Sequence, residues 1–126
     1  MDLNRASVLG NVTKSPELRV TGTGQSVCNF SVATNESWND QAGQKQTRVT
    51  YHSIVVWGKL AELCNSYLRK GSKIFVEGRI QYREWESQDG TKRNATEIVS
   101  DNVIFLEKKI NDNPVIDEQA LRNAGL

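Results

Sequence analysis

A chain of 126 residues, 37% hydrophobic and 25% charged, is the size of one domain and can bury a core without disulfides or a structural metal. Its 16 Lys/Arg against 15 Asp/Glu leave a net charge of +1. That excludes a nucleic-acid binder held by bulk charge alone, since such proteins are usually more basic.

The remaining global signals place the chain in an aqueous compartment. No apolar run approaches the roughly 18 residues of a membrane-spanning helix, and Met1–Gly10 lacks a charged-then-apolar leader pattern. Cys28 and Cys64 show no CxxC spacing and sit in apolar-patterned segments, so they read as buried, reduced thiols. A cytoplasmic, nucleoid-associated protein is the simplest expectation. Charge is uneven: 15 Lys/Arg face 12 Asp/Glu through Asn111, whereas one Arg faces three acids beyond it.

In chain order, Arg5–Val12 alternates weakly and Asn11–Pro16 supplies turn residues. Glu17–Val20 reads as a short strand ending in Thr21-Gly22-Thr23-Gly24. Ser26–Thr34 puts Cys28, Phe30 and Val32 on one face at period two. Ser37–Gln46 reads as a polar loop carrying Trp38. Arg48–Trp57 is a long β-rich run, with His52, Ile54 and Val56 on one face and Val49, Tyr51, Ser53, Val55 and Trp57 on the other. Lys59–Leu68 predicts an amphipathic helix with Leu60, Leu63, Cys64, Tyr67 and Leu68 along its stripe. Arg69 and Lys70 fall in its expected last turn and Gly71 at its end. Lys73–Trp85 and Thr96–Leu106 are strands joined by a hairpin with Asp89-Gly90 at its tip.

The main strands thus run three, then a helix, then two. This is the order of an OB-fold, a mainly β, five-stranded Greek-key barrel with one helix between strands 3 and 4. Residues 1–110 form that domain. Residues 111–126 are a short separate tail in which Asn113-Pro114 breaks the chain and Asp117–Asn123 suits a short helix or disorder.

Aromatic residues stand where a core does not need them. Trp38 lies in a polar stretch, Trp85 shares a strand face with Arg79 and Arg83, and Tyr51 and Trp57 lie opposite Ile54 and Val56. Every base has a π-face, so an exposed ring can hold any base without reading sequence, and nearby cations then neutralise the backbone. Nothing points to catalysis. His52 is the sole histidine, no triad spacing occurs, there is neither GxxxxGK nor GxGxxG, and no metal or cofactor motif is present. A hydrogen-bonded barrel or interface role suits His52.

Several motifs, in order, carry a family resemblance. They are Val8-Leu-Gly-Asn-Val12, Pro16-Glu-Leu-Arg19, Phe30-Ser-Val-Ala-Thr-Asn-Glu-Ser-Trp38, Tyr51-His-Ser-Ile-Val-Val-Trp-Gly-Lys-Leu-Ala-Glu-Leu63, Tyr67-Leu-Arg-Lys-Gly71 and Val76-Glu-Gly-Arg79, with Trp85 before the hairpin. Over roughly residues 3 to 107 the chain resembles the bacterial and mitochondrial single-stranded DNA-binding proteins. The resemblance implies a homotetramer that wraps single-stranded DNA without sequence preference in replication, recombination and repair. It puts stacking on Trp38, Tyr51, Trp57 and Trp85 and a subunit contact on His52. Backbone contacts fall on Arg5, Arg19, Lys59, Lys70 and Arg83. Enteric members have arginine where Ser53 and Gln81 stand, a loss that Arg48, Lys73 and Arg79 can offset. Residues 111–126 lack the acidic tip with which many members dock replication and repair proteins. The competing reading is an OB-fold accessory subunit that mainly binds other proteins, and the presence of all four aromatics argues against it.

Overall fold

The computed structural model describes residues 1–106; the reading of 111–126 as a separate tail lies outside them. Seven elements follow in order: β1 (Ala6–Val12), β2 (Glu17–Val20), β3 (Ser26–Asn39), β4 (Lys45–Trp57), α1 (Gly58–Tyr67), β5 (Lys73–Glu86) and β6 (Lys92–Phe105). The sheet order is β1-β5-β6-β4-β3-β2, and a further β1–β3 pairing closes five of the strands into a barrel. β2 is a sixth, short strand on the flank of β3. All pairings are antiparallel except β4–β6. Counting barrel strands only, α1 lies between the third and fourth, as the sequence order predicts.

Period-two alternation supplies the core. Cys28, Phe30 and Val32 of β3, Ile54 and Val56 of β4, and Ile74 and Val76 of β5 are buried in one cluster. Fully burying such a side chain is worth about 1.5–3 kcal/mol. Helix α1 packs against this cluster with Leu60, Ala61 and Cys64, and Leu68 follows just beyond it. The stripe is narrower than the sequence predicts. Leu63 and Tyr67 are exposed, and Tyr67 instead packs its ring on Phe105, 5.7 Å between centroids. The helix also ends early: Leu68 is its C-cap, so Arg69, Lys70 and Gly71 lie past it. Arg69 still caps the carbonyls of Ser66 and Leu68, donating at 3.2 and 2.8 Å. Burial pushes the Cys28 thiol up to about 11 and the Cys64 thiol up to about 12, which keeps both protonated and unreactive.

Two glycines let backbones approach where curvature is sharpest. A Cβ on Gly10 would collide with the backbone of Ala33 at the β1–β3 seam, and one on Gly78 with the backbone of Val99 and Ser100. Gly78 lies at a β-bulge, where Asp101 is the extra residue between the pairs Glu77↔Asn102 and Gly78↔Ser100. Ser100 Oγ donates across the irregularity to the Glu77 carbonyl at 3.0 Å.

β3–β4 and β5–β6 run on past the barrel as two-stranded arms. β4 touches β6 only over Ser53–Val56, yet β3–β4 pairing continues without a break to Asn39↔Lys45. Trp38 therefore lies on a strand, not in the loop expected from the polar run Ser37–Gln46. The loop is only the turn around Asp40, whose Oδ1 accepts from the Ala42 and Gln44 amides at 2.9 Å. The predicted Asp89-Gly90 tip stands, but β6 starts at Lys92 rather than Thr96.

The close approach at Gly78 yields a stability test. Gly78→Ala is expected to lower unfolding free energy by about 1–3 kcal/mol, the usual cost of overpacking, read as a reduced urea midpoint at unchanged m-value. An unaltered midpoint would show that the β5–β6 bulge relaxes without penalty.

Candidate nucleic-acid interface

Paired residues on neighbouring strands share a sheet face, so register decides which candidate side chains meet. On the outward face, Arg19 of β2 pairs Val27 of β3, which pairs Trp57 of β4. The next outward row runs Asn29–Val55–Val99–Arg79 across β3, β4, β6 and β5, and the one after it Ser31–Ser53–Glu97–Gln81. Beyond them lie Ala33↔Tyr51 on one arm, and Ala95↔Arg83 and Arg93↔Trp85 on the other. One continuous face thus carries Tyr51, Trp57 and Trp85 with Arg19, Arg79 and Arg83. These three aromatic residues are 68%, 44% and 40% exposed.

Trp38, 42% exposed, is not brought to that face. Its ladder partner is Gln46, and its parity matches Thr34 and His52 rather than Ala33 and Tyr51. His52 is half-buried on the core parity, with Nε2 2.9 Å from Thr34 Oγ1, consistent with a hydrogen-bonded barrel histidine.

The basic candidates divide by partner. Arg5 is held by Asp101 through two bonds of 2.8 and 3.2 Å, with Glu77 at 3.6 Å. The bulge is what pushes Asp101 within its reach, and the pairing holds the Asp101 carboxyl below its ordinary value. Arg83 donates from Nε and Nη2 to the two Glu97 oxygens at 3.2 Å each and lies over the Trp85 ring at 4.4 Å. Arg48 repeats this arrangement with Glu36 at 3.4 Å and the Trp38 ring at 5.2 Å. Arg79 Nη1 donates to Gln81 at 3.1 Å. Exposed Arg19, Lys59 and Lys70 show no ion pair among the described residues. Lys73 is exposed at the start of β5.

Sequence reasoning missed Glu97, only 6% exposed. The one available signal was an acid inside the β-rich run Thr96–Leu106, and its arginine partner is visible only through the β5–β6 register. It also missed Asn29, whose buried Oδ1 has no hydrogen-bond partner. No group of three metal-ligating side chains occurs among the described residues, nor does any helix there have the length and apolarity to cross a membrane.

The hairpin that carries Trp85 is fixed by its tip. Asp89 accepts from the Ser87 hydroxyl and the Thr91 amide, which pull its carboxyl down to about 2. A folded value below the ordinary one of about 3.9 means that this stabilisation is present above pH ~4 and is lost as pH falls toward 2. Carbon-detected NMR is expected to show Asp89 titrating near pH 2, and Asp89→Asn to flatten the acid-side loss of hairpin order. Titration of Asp89 near pH 4 would mean that the tip bonds do not persist in solution.

A family model described as the single-strand binding protein family matches residues 3–106. A single-stranded DNA-binding protein of Neisseria meningitidis serogroup A is 43% identical over 106 residues, which cover 84% of this chain and 61% of that one. Single-stranded DNA-binding protein 1 of Chlorobaculum tepidum is 44% identical over 108 residues, 85% of this chain and 67% of its own. The chain therefore spans about three fifths to two thirds of these relatives' length. Among solved structures, a Plasmodium falciparum SSB in complex with ssDNA superposes with a TM-score of 0.77 at 32% identity, over 85% of this chain and 97% of that one. A deletion mutant of the Thermus aquaticus single-stranded DNA binding protein gives 0.73 at 31%, over 85% and 52%. With the barrel, its arms and its outward aromatic face in place, the chain belongs to the single-strand binding protein family.

Proposed function

We propose that this chain binds single-stranded DNA without sequence preference and shields exposed strands during replication, recombination and repair, as a binding protein rather than an enzyme. The observation that carries this reading is the outward face on which Tyr51, Trp57 and Trp85 stand exposed with Arg19, Arg79 and Arg83 on the same face. That face lies on the barrel strands and hairpin that OB-folds use for oligonucleotides. Trp38 adds a fourth ring from the other parity of its arm, reached by a strand that wraps around rather than lies flat. Arg19, Lys59 and Lys70 carry backbone neutralisation with Lys73 and Arg79. Arg5 and Arg83 contribute less, because carboxylates already hold them.

Assembly as a homotetramer forms part of the same proposal. The β1 edge is paired with β3 only at Asn11 and Val12, so most of it is open to another strand. Beside it, an opening of about 410 Å³ is lined by Ala6, Val8, His52, Ile80 and Ile98 among others, and Leu9, Ile80 and Tyr82 stand exposed. A subunit contact there would cover His52 and these apolar groups. Light scattering of the purified chain is expected to give four times the monomer mass, and a monomer mass would sink the assembly reading. A cytoplasmic, nucleoid-bound location follows from the proposed ligand.

Oligo(dT) is expected to quench tryptophan fluorescence strongly, and absence of quenching at low salt would remove the reading. Trp85→Ala should weaken binding by about 1–3 kcal/mol, the worth of one base–aromatic stack. With about four phosphates neutralised, log affinity should fall with log salt at a slope near −3, at about −0.7 per phosphate. A much steeper slope would make charge, not stacking, the main contribution.

A further inference from the structure

Arg83 and Trp85 stand two residues apart on β5 and so share one face of the arm. The Arg83 guanidinium lies 4.4 Å from the centre of the Trp85 ring, the one cation over that ring among the described residues. Opposite Arg83 stands Ala95, whose methyl group offers it no hydrogen bond. What fixes the guanidinium is Glu97, whose two oxygens accept from Nε and Nη2 at 3.2 Å each. A two-bond fork of this kind sets the orientation of the planar group as well as its position.

The two ends of the pair lie in different surroundings. The Glu97 side chain is 7% exposed and that of Arg83 47%. The acid belongs to the barrel wall, where β6 pairs β4 at Ser53 and β5 at Gln81. The arginine reaches from there to the ring on the arm. A phosphate of a bound strand would compete for Arg83, but taking it would leave a buried carboxylate alone, which is costly. The exposed Arg48–Glu36 pair has no such anchor.

We propose that Glu97 is a positioning residue for strand binding: it withholds Arg83 from phosphate and holds it against Trp85, so the ring is ordered before a base arrives. The inference rests on the single-strand-binding reading above and gives this acid, acting through Arg83, a share in the stacking at Trp85. Ordering a mobile side chain on binding costs affinity, and a ring held beforehand avoids that cost.

The test uses a parent chain with Trp38 and Trp57 replaced by phenylalanine, which keeps a ring at each position and leaves Trp85 as the sole tryptophan. In Glu97→Gln the carboxamide keeps the shape of the carboxylate but has one acceptor oxygen and no charge. Anisotropy decay of the free protein is expected to show faster local rotation of Trp85. In about 1 M salt, where phosphate contacts are screened, oligo(dT) affinity read by Trp85 quenching should fall about fivefold, the cost of immobilising one side chain. The released Arg83 then takes a phosphate, so the salt slope should steepen by about 0.7 and the deficit should close by about 0.1 M. In the double variant, Arg83→Gln with Glu97→Gln, no guanidinium is released, so the deficit should persist at both salt concentrations with the parent slope. Glu84→Gln makes the same charge change on the other face of the arm and should leave ring rotation and slope as in the parent.

Parent-like rotation and slope in Glu97→Gln would overturn the proposal. So would a loss of affinity equal at both salt concentrations in that variant, the mark of a merely structural acid. A steeper slope in Glu84→Gln would overturn it too, by tracing the effect to net charge. If Glu97→Gln does not fold, the double variant, which leaves neither charge alone, decides by its ring rotation and its deficit. Absence of quenching in the unaltered chain would instead overturn the reading beneath.

Discussion

Closing a five-stranded sheet on itself is the constraint from which the rest of this structure follows. The seam is only two residue pairs long, Asn11↔Ala33 and Val12↔Val32, and it closes because the β1 backbone can approach Ala33 at Gly10. Once the sheet is shut, strand alternation has a single outcome. Within the barrel, Cys28, Phe30 and Val32 of β3 and Ile54 and Val56 of β4 fill a small interior, and residues of the opposite parity face outward. A barrel this narrow is filled by its own side chains, so chemistry with a large ligand has only the outer surface and the arms available. The arms are long because their ladders continue after the barrel contacts have ended.

On those arms, two tryptophans carry the same device with different energetics. Arg48 over Trp38 is tied to Glu36, and both charged groups are largely exposed. Such a pair is worth about 0–1 kcal/mol, so a phosphate can draw Arg48 away at little cost. Arg83 over Trp85 is tied to Glu97, which is buried. Removing that guanidinium would strand a buried carboxylate without its partner, which costs more than breaking an exposed pair. Arg83 therefore stays in place and backs one face of the Trp85 ring. A net charge of +1 fits a surface on which Arg5, Arg48 and Arg83 are committed to carboxylates.

The sequence was legible wherever one face of an element is buried. Cys28, Phe30 and Val32 show their strand because alternate residues must be apolar. The polar run around Trp38 reads as a loop because both faces of that arm meet solvent, so no hydrophobic period marks it and only backbone pairing makes it a strand. Leu63 and Tyr67 obeyed a helical stripe, but α1 covers the barrel over a narrower arc than that stripe spans. The aromatic and basic candidates could be named from residue type and resemblance. Their partners could not, since Arg5–Asp101 depends on a bulge and Arg83–Glu97 on a register that brings together residues 14 apart.

Glu97 joins the two halves of the outward face. It pairs Ser53 across the parallel β4–β6 ladder and Gln81 across β5–β6, which sets it in the middle of the outward row. Its carboxylate also fixes the arginine that backs Trp85. Arg83 takes its place from an acid that the barrel holds, and it in turn lies against the Trp85 ring on the arm. The arm and the barrel are therefore coupled through one buried acid. That coupling requires the carboxylate to remain buried, which the closed barrel and the β4–β6 pairing together ensure.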